Sequence, residues 1–201
     1  SEFNLASLLH ECTQAFEHTA REQQVEFAVF LQPQAPETLI GDPVRLRQIL
    51  LSILKNAFQR TQQGEVILSV TVENNANNSQ LLFSVQDNGN PLSDEERHTL
   101  STAQLHSKDL LSASFIGGNL GIIIANQLLS LMGGSLKIQP MGCGNQFTFS
   151  IPFSLADTAP TSSKDDAVLH NKKILIIDSN TLYQKVLAQQ CSEWGLQVST
   201  R

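Results

Sequence analysis

Residues 41–66, GDPVRLRQILLSILKNAFQRTQQGEV, constrain the fold more than any other stretch of the chain. Asp42 caps orphan N–H groups and Pro43 is tolerated at a first helical position, so a helix starts here. Leu46, Ile49, Leu50, Ile53, Leu54 and Ala57 recur every three or four residues and make one apolar, core-facing stripe. Arg45, Gln48, Ser52, Asn56 and Gln59 form a second stripe at the same spacing. A solvated surface normally carries Lys and Glu. Ser52, Asn56 and Gln59 are instead short or neutral oxygen-bearing side chains, which suit a metal or phosphate better than bulk water. Gly64 ends the segment, and an alternating strand follows from Val66.

These residues resemble the N box of sensor histidine kinases, written GDPxRLRQILxNLLxNAxKFTxxGxV. Gly41, Asp42, Pro43, Arg45 to Leu50, Leu54, Asn56, Ala57, Thr61, Gly64 and Val66 match it at fixed offsets. The resemblance implies that Asn56 holds the Mg²⁺ that bridges the ATP phosphates. Three departures from the pattern bear on the nucleotide. Ser52 stands for an Asn, Gln59 for a Lys that reaches the phosphates, and Arg60 for an aromatic near the adenine.

Two further motifs fit the same family. Gln86-Asp87-Asn88-Gly89-Asn90-Pro91-Leu92 resembles the G1 box, DTGxGI. That match implies that Asp87 accepts a hydrogen bond from the adenine amino group, with Gly89 kept and Pro91 in place of a glycine. Residues 117–134, GGNLGIIIANQLLSLMGG, resemble the G2 box and its helix. Gly117, Gly118, Asn119, Leu120 and Gly121 would then bring backbone N–H groups to phosphate at a positive helix end. Asn119 puts a side chain where backbone should approach, and Asn tolerates left-handed geometry better than other non-Gly residues. The departures predict weak binding at the phosphate end. They also predict that Gln59→Lys with Asn119→Gly raises ATP affinity.

The other elements follow from pattern. Residues 4–22 read as a helix, 25–31 as a strand broken by Pro33 and Pro36, and 66–72 and 81–85 as an antiparallel pair joined by an Asn-rich turn. Ser93 and Glu96 make a capping box, and residues 100–116 read as an irregular, mobile lid. Residues 136–138 and 146–151 form a closing hairpin. His10 is not read as a phosphoacceptor, because Cys12-Thr13-Gln14 does not continue the acceptor motif; His10 and His18 read as ordinary residues of the first helix.

The 201 residues carry a net charge of −6 and no basic cluster, which argues against nucleic-acid binding. Cys12, Cys143 and Cys191 are odd in number and far apart, so neither a disulfide framework nor a zinc site is expected. No apolar run has membrane-spanning length. The opening Ser1-Glu2-Phe3 reads as a cloning scar on a longer protein.

After a Ser-, Thr- and Asp-rich stretch, Lys172-Lys173-Ile174-Leu175-Ile176-Ile177-Asp178 reads as a buried strand, followed by a helix to Trp194 and a second strand start. This resembles the opening of a response-regulator receiver, with Ser179 in place of a second acid. About thirty residues cannot fold alone, so 171–201 are expected to be disordered or docked.

Together the resemblances imply an ATP-binding catalytic domain of the GHKL superfamily over 1–153, a linker over 154–170 and a truncated receiver-like β-α-β start over 171–201. The implied fold is an α/β (α+β) two-layer sandwich, the Bergerat fold, with a mixed, mostly antiparallel sheet and helices on one face. The implied function is that of a hybrid two-component sensor kinase. It binds ATP or ADP with Mg²⁺ and supplies the γ-phosphoryl to a His on a dimerisation domain outside this chain. The alternative is a degenerate domain that regulates a partner kinase by binding. The implied setting is the cytoplasmic part of a membrane-bound bacterial kinase, with no membrane contact in these residues.

Overall fold

The computed structural model describes residues 1–75, 78–102, 119–152, 154–155 and 169–201. Its main sheet has five strands in the order β2 (Val25–Leu31), β4 (Gly64–Asn75), β5 (Asn78–Asp87), β7 (Asn145–Pro152) and β6 (Lys137–Pro140). β2 and β4 are parallel and the other pairs antiparallel. The parallel pair is bridged by a crossover that contains α2 (Pro43–Arg60), as parallel strands require. α1 (Leu5–Gln23), α2 and α4 (Leu120–Leu131) share one core with the sheet, and α3 (Asp94–Thr102) adds the fully buried Leu100 to it. This is the mixed two-layer sandwich that the motifs implied.

The apolar stripe of α2, from Leu46 to Ala57, is fully buried. It faces Val66, Leu68 and Val70 of β4, Leu81, Phe83 and Val85 of β5, and Phe147 and Phe149 of β7, every second residue of each strand. Phe83 and Phe149 are directly opposite in register and stack with centroids 4.9 Å apart. Asp42 Oδ1 accepts from the Arg45 N–H at 3.0 Å, which is the cap read from the sequence. Ser93 and Glu96 form their reciprocal capping box at 2.8 and 3.1 Å.

Several elements differ from the sequence reading. Glu2–Asn4, for which no strand is expected from the sequence, is a short strand, β1, paired with β3 (Thr38–Ile40). Ser154–Leu155, taken for linker, is β8 on the other side of β3. Strands of two or three residues show no alternation to read. α3 extends through Thr102, so the first three residues read as lid are helical. The rest of the lid, from 103, and the linker over 156–168 lie outside the described residues.

Near the C-terminus, β9 (Lys173–Ile176) and β10 (Gln197–Thr200) pair in parallel around α5 (Thr181–Glu193). The unit is docked. α5 packs on β2, the outermost strand of the main sheet. The Tyr183 hydroxyl donates to the Phe27 carbonyl at 3.1 Å, and Gln190 Nε2 donates to the Leu31 carbonyl at 3.3 Å. A sheet edge covered in this way is protected from pairing with another chain. Each bond contributes about 1 kcal/mol. Tyr183→Phe is therefore expected to speed amide exchange in β9 about fivefold while leaving β5 unchanged. Unchanged exchange in β9 would show that this contact does not hold the unit.

Candidate functional site

The second stripe of α2 splits on folding. Gln59 is exposed, Ser52 is half-buried, and Asn56 is only 4 % exposed. Asn56 Nδ2 donates to Oδ1 of Asn119 at 2.6 Å, across 63 residues of sequence. Asn119 sits immediately before α4 with φ −82 and ψ 6, so this position does not require left-handed backbone. Its side chain caps none of the helix's own N–H groups, although Asn is among the best residues for that task. The Ile122 and Ile123 N–H groups already donate to the Asn119 carbonyl at 2.9 and 3.4 Å, so the N–H groups of α4 without an acceptor inside the helix are those of Leu120 and Gly121. Gly121 faces Ser52, where an added Cβ would lie 3.6 Å from the serine Cβ. α2 and α4 thus bring Ser52, Asn56, Asn119 and Gly121 together, with Leu120 beside them and 40 % exposed. Gly117 and Gly118 lie outside the described residues. Asn119 does not simply crowd an approach to backbone, since its side chain is buried and committed to Asn56.

The chemistry of this cluster fits a hard cation that brings its own anionic ligands. Asn56 Oδ1 is buried and has no hydrogen-bond partner, a costly condition for a carboxamide oxygen. Such an oxygen is an ordinary ligand for Mg²⁺, which keeps waters and substrate phosphates as its other ligands. Among the described residues no group of three or more His, Cys, Asp or Glu side chains offers an alternative cage.

A second polar cluster lies at the C-terminal end of α2. Asp87 ends the central strand β5, on the same inward face as Phe83 and Val85, and is 4 % exposed. It accepts from the Gly89 N–H at 3.0 Å. Asn145, fully buried and opposite Asp87 in register, donates from Nδ2 to both carboxylate oxygens at 3.2 and 3.3 Å and to the Asn90 carbonyl at 3.2 Å. Its Oδ1 accepts from the Leu92 N–H at 2.8 Å. One side chain therefore holds three points of the loop over 87–92.

Gly89 is required by space. A Cβ there would lie 2.4 Å from the Arg60 carbonyl oxygen, and the next residue, Asn90, donates its N–H to that same oxygen at 3.1 Å. Pro91 is exposed. Arg60 pairs with Glu96 at 3.1 Å, so it ties α2 to the capping box of α3. The Ser93 N–H and Arg60 together hold the Glu96 carboxyl below its usual range.

The sequence reading missed Asn145. A usable signal exists: positions 145, 147, 149 and 151 share the inward face of β7, so a polar residue at 145 is aimed at the core.

Burial pushes the Asp87 carboxyl above its ordinary value of 3.8, against the opposing pull of Gly89 and Asn145. The folded protein therefore holds this proton more tightly than the unfolded chain. Its stabilising effect is full below 3.8 and is lost as pH rises through the folded value. A ligand that needs the carboxylate as an acceptor has the opposite dependence. Its affinity is expected to fall as acid protonates Asp87, with a midpoint above 3.8. Calorimetry of the unmodified chain through the acid range checks this, and an affinity that does not fall as acid is added would exclude the carboxylate as the acceptor.

The sequence profile of the histidine kinase-, DNA gyrase B-, and HSP90-like ATPase family matches residues 41–155. Sensor histidine kinase GacS of Pseudomonas protegens is 28 % identical over 205 residues, covering 98 % of this chain and 22 % of that protein. Hybrid signal transduction histidine kinase B of Dictyostelium discoideum is 29 % identical over 161 residues, covering 78 % of this chain and 8 % of its own length. The chain thus spans about a fifth or less of these relatives. Among solved structures, full-length ShkA in complex with AMPPNP superposes with a TM-score of 0.79 at 26 % identity, covering 100 % of this chain and 40 % of ShkA. The catalytic domain of histidine kinase ThkA superposes at 0.60 with 21 % identity, covering 76 % of this chain and 95 % of that domain, a likeness of fold.

Proposed function

Because the chain belongs to the histidine kinase-, DNA gyrase B- and HSP90-like ATPase family, we propose that it is the ATP-binding catalytic domain of a hybrid sensor histidine kinase. The observation that carries this reading is the pairing of two buried polar ends on one helix. Asn56 and Arg60 are one turn apart on α2, about 6 Å along its axis. Asn56 presents an unpartnered oxygen, and the Arg60 carbonyl anchors the loop that bears Asp87.

In this reading the Asp87 carboxylate accepts from the adenine amino group, and Asn145 keeps the carboxylate in place. The phosphates run toward the first N–H groups of α4, beside Gly121 and Leu120, where the helix end favours negative charge. Mg²⁺, held in part by Asn56 Oδ1, would neutralise phosphate charge. The chain's share of phosphoryl transfer is positioning and charge compensation, with the γ-phosphoryl delivered to a His on a dimerisation domain. The β9-α5-β10 unit supports the hybrid arrangement with a receiver start. A cytoplasmic setting belongs to the same proposal. Among the described residues no helix is long and apolar enough to cross a membrane.

The exposed, uncharged Gln59 favours weak hold on the γ-phosphate and gives the second reading, a binding-only regulator of a partner kinase, its support. Calorimetry with Mg²⁺ is expected to find ATP and ADP bound with similar affinity, weaker than micromolar, and Gln59→Lys to favour ATP. No binding of either nucleotide would reject the nucleotide reading. Micromolar or tighter ATP binding would reject the idea of a weakened phosphate end. Incubation with γ-labelled ATP is expected to leave no acid-labile label on the chain itself, His10 included.

A further inference from the structure

We infer that Asn119 is a positioning residue whose side-chain oxygen fixes the Asn56 amide so that Oδ1 of Asn56 is presented to the cation that accompanies a bound nucleotide. The inference rests on the nucleotide reading above. A carboxamide has one oxygen and one nitrogen of nearly equal size, and only the oxygen can ligate a cation. An Asn at the entrance of a cation site therefore works in one of its two flipped orientations and repels the metal in the other. Something must select between them.

Asn119 does so here. Its Oδ1 takes the Nδ2 of Asn56 at 2.6 Å, both side chains are 4 % exposed, and the Asn56 oxygen is left without a partner. Asn119 gives up its own capping bond to make this contact. Its backbone still serves the helix, because its carbonyl accepts from Ile122 N at 2.9 Å. A glycine at 119 would supply the backbone and not the selector. Removing the side chain is accordingly expected to weaken binding of the Mg²⁺–nucleotide complex, the reverse of the gain expected from the sequence.

The test compares the unmodified chain with Asn119→Ala and Asn119→Asp; the Asp carboxylate keeps an acceptor of the same reach. Calorimetry gives the ratio of ADP affinity with Mg²⁺ to that without it. NMR of the nucleotide-free protein gives the exchange rate of the Asn56 side-chain amide protons, which a role confined to helix capping would not alter. In the unmodified chain one Asn56 amide proton is expected to exchange slowly. Asn119→Ala should lose that protection, and its Mg²⁺ enhancement should fall roughly three- to tenfold, the worth of one neutral hydrogen bond. Asn119→Asp should keep both. Fast exchange in the unmodified chain overturns the inference, and this measurement needs no variant to fold. An undiminished Mg²⁺ enhancement in Asn119→Ala overturns it alone. If the unmodified chain gains nothing from Mg²⁺, the inference falls together with the metal part of the nucleotide reading. If it binds no ADP at all, the whole reading falls.

Discussion

Replacing Asp87 by Asn is expected to remove nucleotide binding while leaving the fold nearly as stable as before. In the proposed reading the carboxylate gives the adenine amino group a charge-assisted acceptor, worth about 1.5–3 kcal/mol, or roughly ten- to hundredfold in affinity. The loss is aggravated by Asn145. Its Nδ2 donates to both oxygens of the native carboxylate, and in the Asp87→Asn variant it would compete with adenine for the single remaining oxygen. Stability behaves differently, because burial already disfavours the ionised Asp87 at neutral pH, so a neutral isostere relieves part of that cost. Calorimetry with Mg²⁺ and ADP, paired with a melting curve, checks both halves. Retained binding by a folded Asp87→Asn protein would exclude adenine recognition at this residue.

The largest effect on stability is expected from Asn145→Leu. The substitution leaves the buried Leu92 N–H without its partner, takes the Asn145 amide away from the buried Asp87 carboxylate, which keeps the Gly89 N–H, and frees the Asn90 carbonyl as well. A buried group left unsatisfied costs about 1–3 kcal/mol, so about 2–3 kcal/mol is expected for the orphaned Leu92 N–H together with the weakened hold on Asp87. Urea unfolding followed by two probes measures it. A loss below about 1 kcal/mol would show that other groups satisfy the loop. Binding should fail too, since the loop that presents Asp87 is tied down by this one amide.

What the chain disclosed before folding, and what it withheld, follows a physical division. Asp42 and the Ser93–Glu96 box act within one turn of helix, so their partners are three residues away and can be read directly. The stripes of α2 and the alternation in β4, β5 and β7 are periodic, and they placed the core correctly. The polar ties of the site are neither local nor periodic. Asn56 finds Asn119, and Asp87 finds Asn145, only because distant elements meet. Asn119 even reads as the wrong residue until its partner is known, and Asn145 looks like one more turn residue after Gly144. The docking of α5 on β2 is of the same kind. The buried strand read over 174–177 is not what the docking covers, since β9 spans Lys173–Ile176 and Leu175 and Ile177 are half or more exposed; nor were the carbonyls of Phe27 and Leu31 that receive Tyr183 and Gln190 legible.

The span of those two ties bears on when the site comes into being. Asn56 to Asn119 closes 63 residues and Asp87 to Asn145 closes 58. Loops of that size are closed late, after the entropy of bringing distant strands together has been overcome. On a ribosome, an emerging chain that has completed α2 and β5 still lacks both selector amides, and so has no competent pocket. A ligand at these ends therefore stabilises only the finished domain, and its capture reports that synthesis and assembly are complete through β7.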